Sequence, residues 1–397
     1  MSKPKRVYLD HAATTPVDPE VLRRMLPYFS KRYGNPAVLY SLGREATKAI
    51  DKAKKQVAKV INANPEEIFF TNGASDSEEK ALVGIARRFQ KRSGRLISSR
   101  IEHPSLLKIL EGLGRDGFEV RLLSVNQDGI INLEGLKRLV TKGAILASFS
   151  HSNSEIGTIQ PVNKIGEIAK KRDLVYHLDV AQTIGYLPID VKKLGVDLLS
   201  FGVHKIYGPK GVGILFVKKG IPVFSEESRH KSRRFRMGTE NVPGIVGAGM
   251  AVELMEKRRR QESKRLAILR NYFTNIVLDR IPGVFFTGHP RKRHPAHISF
   301  CFSCIEGEAA VLMLDSYGIS VATGSACSTG DTKLSHVLKS LKVPSSVIRG
   351  SLRFTLGKES TKEKIDYTVD VLEKVVRRLR KMIPDGLEFD RNTVGVL

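Results

Sequence analysis

The feature that most constrains this chain is an alternation of rhythm. From about residue 44 to residue 260, amphipathic stretches of helical period take turns with short apolar runs. Arg44–Ile61 opens the series, with Ala46, Ala49, Ile50, Ala53, Val57, Val60 and Ile61 on one helical face. The runs Ile68–Thr71, Arg95–Ser99, Glu119–Ser124, Ala144–Phe149 and Leu174–Leu178 predict strands, and Leu198–Phe201 and Val212–Val217 are further apolar runs. Ser75–Gln90, Ser105–Gly114, Leu133–Val140 and Val162–Lys171 predict the helices between them. Such alternation demands βα crossovers, so the expected fold class is α/β with a mostly parallel sheet covered by helices on both faces.

The rhythm changes after Pro243. Ile245–Arg280 predicts one long helix, and Glu308–Ser316 and Thr361–Met382 predict two more. Val284–Phe286, His297–Phe302, Ile319–Thr323 and Leu352–Leu356 predict strands. This pattern suits a smaller α+β domain, with the boundary inside the long helix near Glu256. The expected division is a large α/β domain over 16–255 and a small domain built from 1–15 and 256–397. With 397 residues, 41% of them hydrophobic, the chain has enough apolar side chains for both cores. The tail Asp385–Leu397 is expected to pack loosely.

Composition removes several function classes. No apolar run reaches the ~18–20 residues that a spanning helix needs, which argues against an integral membrane protein. Three cysteines do not make a disulfide scaffold. The N-terminus has no apolar signal core, so a cytoplasmic home is the simplest expectation. Lys plus Arg number 66 against 41 Asp plus Glu, a net charge of +25. That excess bears on solubility and association, not on fold.

Clusters of chemistry-bearing residues punctuate the alternating region. Gly73-Ala74-Ser75 follows a strand and opens a helix, where backbone N–H groups and the helix dipole attract an anion. The same turn is equally an ordinary strand–turn–helix with Ser75 as its cap. Asp179 ends a predicted strand, where open parallel sheets bind ligands; alone, it is as well read as a solvated strand-end carboxylate. Lys205 lies between apolar strands ahead of a Gly/Pro-rich turn. A desolvated lysine there has a lowered pKa and can form a Schiff base, whereas Lys210 reads as a surface lysine. Cys327 sits among small residues in a loop suited to a thiol that must reach a substrate. Cys301 and Cys304 lie in a strand-like apolar context and read as small buried hydrophobes. No metal site is expected, because one further cysteine does not complete a ligand set.

Taken in order, these clusters resemble the cysteine desulfurases of the NifS/IscS type, fold-type-I PLP (pyridoxal 5'-phosphate) enzymes of the class V aminotransferase family. The likeness begins at Tyr8-Leu9-Asp10-His11-Ala12-Ala13-Thr14-Thr15-Pro16 and runs through Gly34-Asn35-Pro36, Gly73-Ala74-Ser75, Glu102-His103 and Asn153-Ser154-Glu155-Ile156-Gly157-Thr158. It continues with Asp179-Val180-Ala181-Gln182, His204-Lys205-Ile206-Tyr207-Gly208-Pro209-Lys210-Gly211 and Arg236-Met237-Gly238-Thr239-Glu240-Asn241. It closes with Gly324-Ser325-Ala326-Cys327 and Ser351-Leu352-Arg353-Phe354-Thr355-Leu356-Gly357.

The resemblance implies a large PLP-binding domain and a small domain that carries the cysteine loop. It implies that Lys205 holds PLP as a Schiff base and later removes the substrate's α-proton. Asp179 would pair with the pyridinium nitrogen, and His103 would stack on the ring and assist proton transfer. Gln182 and Asn153 would lie near the phenolic oxygen, Asn153 also near the substrate. Ala74, Ser75 and His204 would form the phosphate site, with Thr239 contributed by the partner of a homodimer. Arg353 would grip the substrate carboxylate, a task suited to its planar fork. Cys327 would be the nucleophile that takes sulfur from L-cysteine, leaving L-alanine and a Cys327 persulfide. The interval from Cys327 to Ser335 is similar to the long-loop subgroup, which hands sulfur to a protein acceptor. Implied partners are a sulfur-acceptor or iron–sulfur scaffold protein and, through tRNA thiolation, tRNA.

The chain also departs from the family pattern. Gly202 stands where a phosphate-binding Ser is usual, Ser228–Ser232 replaces a Gly-rich stretch, and Ala37-Val38-Leu39-Tyr40 replaces Ser-Ser-x-His. Ser75 replaces Thr, and Glu78-Glu79 follows where Asn is common. Basic clusters at Arg87–Arg95, Arg229–Arg236, Lys257–Arg265, Arg291–Arg293 and Arg377–Lys381 suit an RNA or an acidic acceptor, or are solvated helix faces. Two alternative activities are a selenocysteine lyase and a PLP-dependent enzyme that forms cysteine on tRNA.

Overall fold

A computed structural model describes residues 6–89, 94–223, 238–324, 334–382 and 395–396. Its strands, in chain order, are β1 (Val7–Tyr8), β2 (Ile68–Thr71), β3 (Arg95–Ser99), β4 (Glu119–Leu123), β5 (Ala144–Ser150), β6 (Val175–Asp179), β7 (Leu198–Gly202) and β8 (Gly213–Val217). They continue with β9 (Val284–Phe286), β10 (His297–Phe302), β11 (Ile319–Ser320), β12 (Ser351–Thr355) and β13 (Gly395–Val396).

A seven-stranded sheet in the order β2-β8-β7-β6-β5-β3-β4 forms the centre. β8 runs antiparallel to both β2 and β7, and the other pairs are parallel. Successive strand residues point to opposite faces, and here both faces are buried. Ile97, Ala147, Leu199 and Ile214 join one apolar cluster, while their sequence neighbours Leu96, Leu146, Leu198 and Leu215 join another. This explains why the strands read as continuous apolar runs rather than alternating ones.

Helices Ala74–Arg88 and Pro104–Arg115 cover one face through Leu82, Ile85, Leu106 and Leu110. Helix Ser41–Ile61 and the first part of helix Val242–Arg280 pack together over the other. Their approach is close: a Cβ on Gly249 would lie 2.8 Å from Ala53 Cα. The 39-residue helix Val242–Arg280 reaches about 60 Å at 1.5 Å per residue. Its far end buries Leu266, Phe273 and Val277 against a four-stranded sheet in the order β12-β10-β9-β13. The Phe273 ring meets Phe354 edge-on at 5.0 Å and Phe300 at 6.4 Å.

The N-terminal strand does not join the large sheet. β1 pairs in parallel with β11, and Asp10 bridges to Thr355 beside β12. Some local expectations need correcting. Ser75 does not cap its helix, which begins at Ala74 with Gly73 at the cap position and no side-chain bond there. Cys304 is not a core residue: Cys301 is buried within β10, but Cys304 is half-buried in the turn beyond it, at φ 57°. The second apolar run starts as a strand at Gly213 rather than Val212, and β11 stops at Ser320 rather than Thr323.

Candidate active site

The parallel strands end at one rim, and the turns that leave them carry the chemistry. β6 ends on Asp179, and β7 runs into a tight helical turn, Val203–Lys205, that presents Lys205. The turn after β2 leads into helix Ala74–Arg88. β3 is followed by Glu102 and by His103, which caps helix Pro104–Arg115 with its ring. β5 ends at Ser150, shortly before Asn153. Arg353 arrives from β12 of the other sheet. All of these except Glu102 line a cavity of about 620 Å³. An open α/β sheet is expected to bind ligands at this end of its strands.

The cavity gathers most of the residues singled out in the sequence. Lys205, Asp179, His103, Asn153, Gln182, Ala74, Ser75, His204 and Arg353 all line it. Exposed Lys210 lines its rim as well. Thr239 is exposed and does not line this cavity. Cys327, Arg236 and the Ser228–Ser232 segment, like the basic stretch Arg229–Arg236 and the tail from Asp385, lie outside the described residues apart from Gly395–Val396.

Burial and hydrogen bonding set the charge states. Asp179 accepts the Ala181 N–H at 2.7 Å and the Ser150 hydroxyl at 3.4 Å. Desolvation raises its pKa, opposed by the Ala181 bond and the Lys205 charge. Glu102 is buried, and burial lifts it to about 7 even though the Ser150 and Ser99 hydroxyls bond to its carboxylate. Burial, then Lys205, Arg353 and His336, push His103 down to about 4, so its imidazole is neutral at pH 7. His204 is likewise held at about 4 by burial and by Lys205 and Lys210, and its Nδ1 lies 3.1 Å from Thr14 Oγ1.

The corner of the cavity at Gly73-Ala74-Ser75 is built from backbone. Among the described residues a Cβ on Gly73 would meet nothing within 4 Å, so the turn is open toward the cavity. Ala74 and exposed Ser75 begin a 15-residue helix whose N-terminal dipole faces the same space. Arg353 is 5% exposed. Its Nη2 donates to Asp10 Oδ1 at 2.8 Å and its Nη1 to the Ser154 carbonyl at 3.1 Å, while Nε is buried without a partner among the described residues. Asn153 is held by its own loop, accepting from the Glu155 and Ile156 N–H, and by the turn after β3, donating to the Ile101 carbonyl. Gln182 donates to the Ala12 carbonyl at 3.5 Å.

Four residues that the sequence analysis gave no role bond to groups of this site: Asp10, Glu78, Ser105 and Ser150. Glu78 left a readable signal. It falls on the helical stripe of Ala81, Leu82 and Ile85, where a charged residue is out of place. Ser105 and Ser150 left none, since the bonds that tie them to Glu78 and Asp179 cross between elements.

The profile of the aminotransferase class-V family matches residues 7–368. The chain belongs to the class V aminotransferase family. Cysteine desulfurase IscS of Dictyoglomus turgidum is 42% identical over 391 residues, covering 98% of this chain and 99% of the relative. Cysteine desulfurase IscS of Methanosarcina thermophila is 41% identical over 383 residues, covering 96% and 94%. Among solved structures, a NifS-like protein superposes with a TM-score of 0.88 at 35% identity, covering 94% of this chain and 100% of that one. SspA in complex with cysteine superposes at 0.77 with 30% identity, covering 88% and 98%. Enzymes of this family use PLP. Within the family frame, the nitrogen, carboxyl and guanidinium groups of the motifs converge on one cavity, although they come from both sheets.

Proposed function

We infer that the chain is a PLP-dependent cysteine desulfurase acting on L-cysteine. The observation that carries this reading is the meeting of Lys205, Asp179, His103 and Arg353 around one cavity of about 620 Å³. The donor set fits PLP. It offers an amine for a Schiff base, a buried carboxylate for a ring N–H, and a helix N-terminus with Ser75 and His204 for a phosphate. When bound, PLP supplies an electron sink for charge that develops at the substrate α-carbon.

The protein's own groups do the rest. Arg353 holds the cysteine carboxylate through charge-assisted bonds. Asp179, which accepts the Ala181 N–H, would pair with the ring nitrogen. The Lys205 amine accepts the α-proton. Neutral His103 presents Nε2 to the reacting centre. Cys327 thiolate attacks the substrate sulfur: the carbon–sulfur bond breaks, a sulfur–sulfur bond forms on Cys327, and the carbon gains a proton to complete alanine. We read 16–255 as the PLP-binding domain, with 1–15 and 256–397 as the domain that brings Arg353 and Cys327. A homodimer is supported by the exposed side chains Leu26, Phe29, Tyr33, Leu39 and Tyr40, and by Thr239 standing apart from its own cavity. The basic clusters suit an acidic sulfur-acceptor protein, with tRNA as the other candidate partner.

The test is to mix PLP-loaded protein with L-cysteine and a reductant. Alanine and sulfide should form in equal amounts. Lys205→Ala should lose the visible PLP band, and Cys327→Ser should keep the band but release no sulfide. A wild type that stays colourless with PLP supplied would refute the reading. So would full sulfide release by Cys327→Ser.

A further inference from the structure

Glu78 is a carboxyl with 2% exposure on the wall of the active-site cavity, and no step above uses it. The Ser105 hydroxyl lies 2.8 Å from Glu78 Oε2 and 2.7 Å from His103 Nδ1, so one hydroxyl connects the two residues. The Ser105 backbone N–H also points at His103 Nδ1, at 3.2 Å.

These contacts restrict where hydrogens sit. A ring nitrogen that receives an N–H keeps its lone pair, so neutral His103 carries its proton on Nε2, toward the cavity. A serine hydroxyl has a single hydrogen. With Glu78 protonated, Glu78 donates to Ser105 Oγ and Ser105 donates to Nδ1, and every group is satisfied. With Glu78 ionised, the Ser105 hydrogen turns to Glu78, and Nδ1 must acquire a proton of its own to bond Oγ.

The groups facing Glu78 decide which state is at rest. Asp179 at the end of β6 and Glu102 after β3 present carboxyls, Lys205 its amine and Ser105 its hydroxyl. Burial and the Asp179 charge raise the Glu78 pKa far above the usual carboxylate range, opposed by Ser105 and Lys205. Asp179 holds negative charge better, because it also accepts the Ala181 N–H at 2.7 Å. Lys205, Arg353 and His336 face His103 and, with burial, keep it neutral. The resting pair is therefore a carboxylic acid and a neutral imidazole.

We propose that Glu78 is a proton reservoir for His103, working through the Ser105 hydroxyl. The Glu78 proton passes to Ser105 Oγ as the Ser105 proton passes to His103 Nδ1, leaving a carboxylate and an imidazolium. His103 then gives its Nε2 proton to the reacting group and remains neutral as the Nδ1–H tautomer, the Ser105 backbone N–H losing its acceptor while Nδ1 is protonated. A proton later taken up at Nε2 from the cavity drives the reverse transfer and restores Glu78. Glu78 and Ser105 are positioning residues in this scheme, acting through His103. The scheme rests on the reading that His103 faces the reacting centre of a desulfurase.

Glu78→Gln is the decisive variant. An amide keeps the size and a hydrogen bond to Ser105 but has no proton to lend, so a merely structural Glu78 would tolerate it. In the PLP-loaded enzyme, kcat for alanine formation should fall about 10- to 100-fold. The wild-type rate should decline with rising pH as Glu78 ionises, and that limb should be missing in Glu78→Gln. Ser105→Ala should match Glu78→Gln, and Ser105→Thr should recover activity. Nitrogen-15 NMR of labelled histidine reads the resting state without turnover: His103 should be the Nε2–H tautomer, and should stay so in Ser105→Ala, which keeps the backbone N–H that faces Nδ1. Unchanged kcat and pH profile in both Glu78→Gln and Ser105→Ala would overturn the proposal, as would an Nδ1–H tautomer in the resting wild type. A wild type that makes no alanine would instead refute the desulfurase reading, and the tautomer measurement would still test the resting state from which the relay starts.

Discussion

Gly202→Ser should tighten PLP binding, and the structure sets how much. Gly202 ends β7 with φ −104° and ψ 139°, an extended conformation that any residue adopts. An added Cβ would lie 3.3 Å from His204 Cδ2, 3.4 Å from the Ala74 nitrogen and 3.6 Å from Ala74 Cβ. The side chain therefore enters beside the helix N-terminus, where the phosphate is proposed to sit. The His204 ring must give by a few tenths of an ångström, against its contact with Thr14 Oγ1. A hydroxyl donated to a charged group contributes about 1.5–3 kcal/mol, and straining one neutral hydrogen bond costs about 0.5 kcal/mol. The net is about 1–2.5 kcal/mol. At 1.4 kcal/mol per factor of ten, the PLP Kd should fall about 5- to 60-fold. The assay is an absorbance titration of apo-protein with PLP, using Gly202→Ala as the control. The alanine variant carries the same His204 displacement, so its gain in fold stability from a stiffer unfolded chain should be at most about 0.5 kcal/mol, without tighter PLP. A Kd for the serine variant no lower than that of the alanine variant would refute the reasoning.

Arg353→Lys should lower kcat/KM for L-cysteine about 10- to 100-fold, mainly through KM, because a point charge replaces a fork already steered by Asp10 and Ser154; steady-state alanine formation checks it, and an unchanged KM would count against the carboxylate role. Glu155 is buried with Oε1 unpartnered among the described residues, and burial raises its pKa from 4.5 to about 8. A raised carboxyl favours the fold at low pH and costs stability as pH climbs from the unfolded to the folded value. Glu155→Gln should therefore gain on the wild type by up to about 1.4 kcal/mol per pH unit across that window. Urea unfolding over pH reads the difference, and a constant gap would refute it. Cys301 is fully buried and its thiol is pushed up by burial, so alkylation of folded protein followed by mass spectrometry should mark Cys304 well before Cys301. Equal labelling of the two would contradict the packing.

Much of the fold was legible because its signals are local. The stripe from Ala46 to Ile61 needs only 3.6 residues per turn, and helix Ser41–Ile61 follows it. β3 and β9 begin and end where the apolar runs do. The errors fall at ends, where capping geometry decides. Ser75 looked like a cap, but the chain turns into the helix one residue earlier, which leaves the Ser75 side chain exposed at the cavity. Cys304 looked like a continuation of β10, but a left-handed turn lifts it out of the core.

The sequence by itself determined the alternation, both buried faces of the large sheet, and the order of the motifs from Asp10 to Arg353. These depend on residue type and spacing along the chain. Only the tertiary structure decided which of the charged residues meet. Arg353 and Asp10 are far apart in the chain yet form an ion pair at 2.8 Å, because β1 docks beside β11 and β12 rather than on the large sheet. Glu78, Ser105 and His103 are joined because two helices on one face of that sheet bring their N-terminal turns to the same cavity. Such bonds join groups distant along the chain, and protonation there follows burial and neighbouring charge. Glu78, a mere departure from a pattern in the sequence, became in the fold a carboxyl poised to lend a proton.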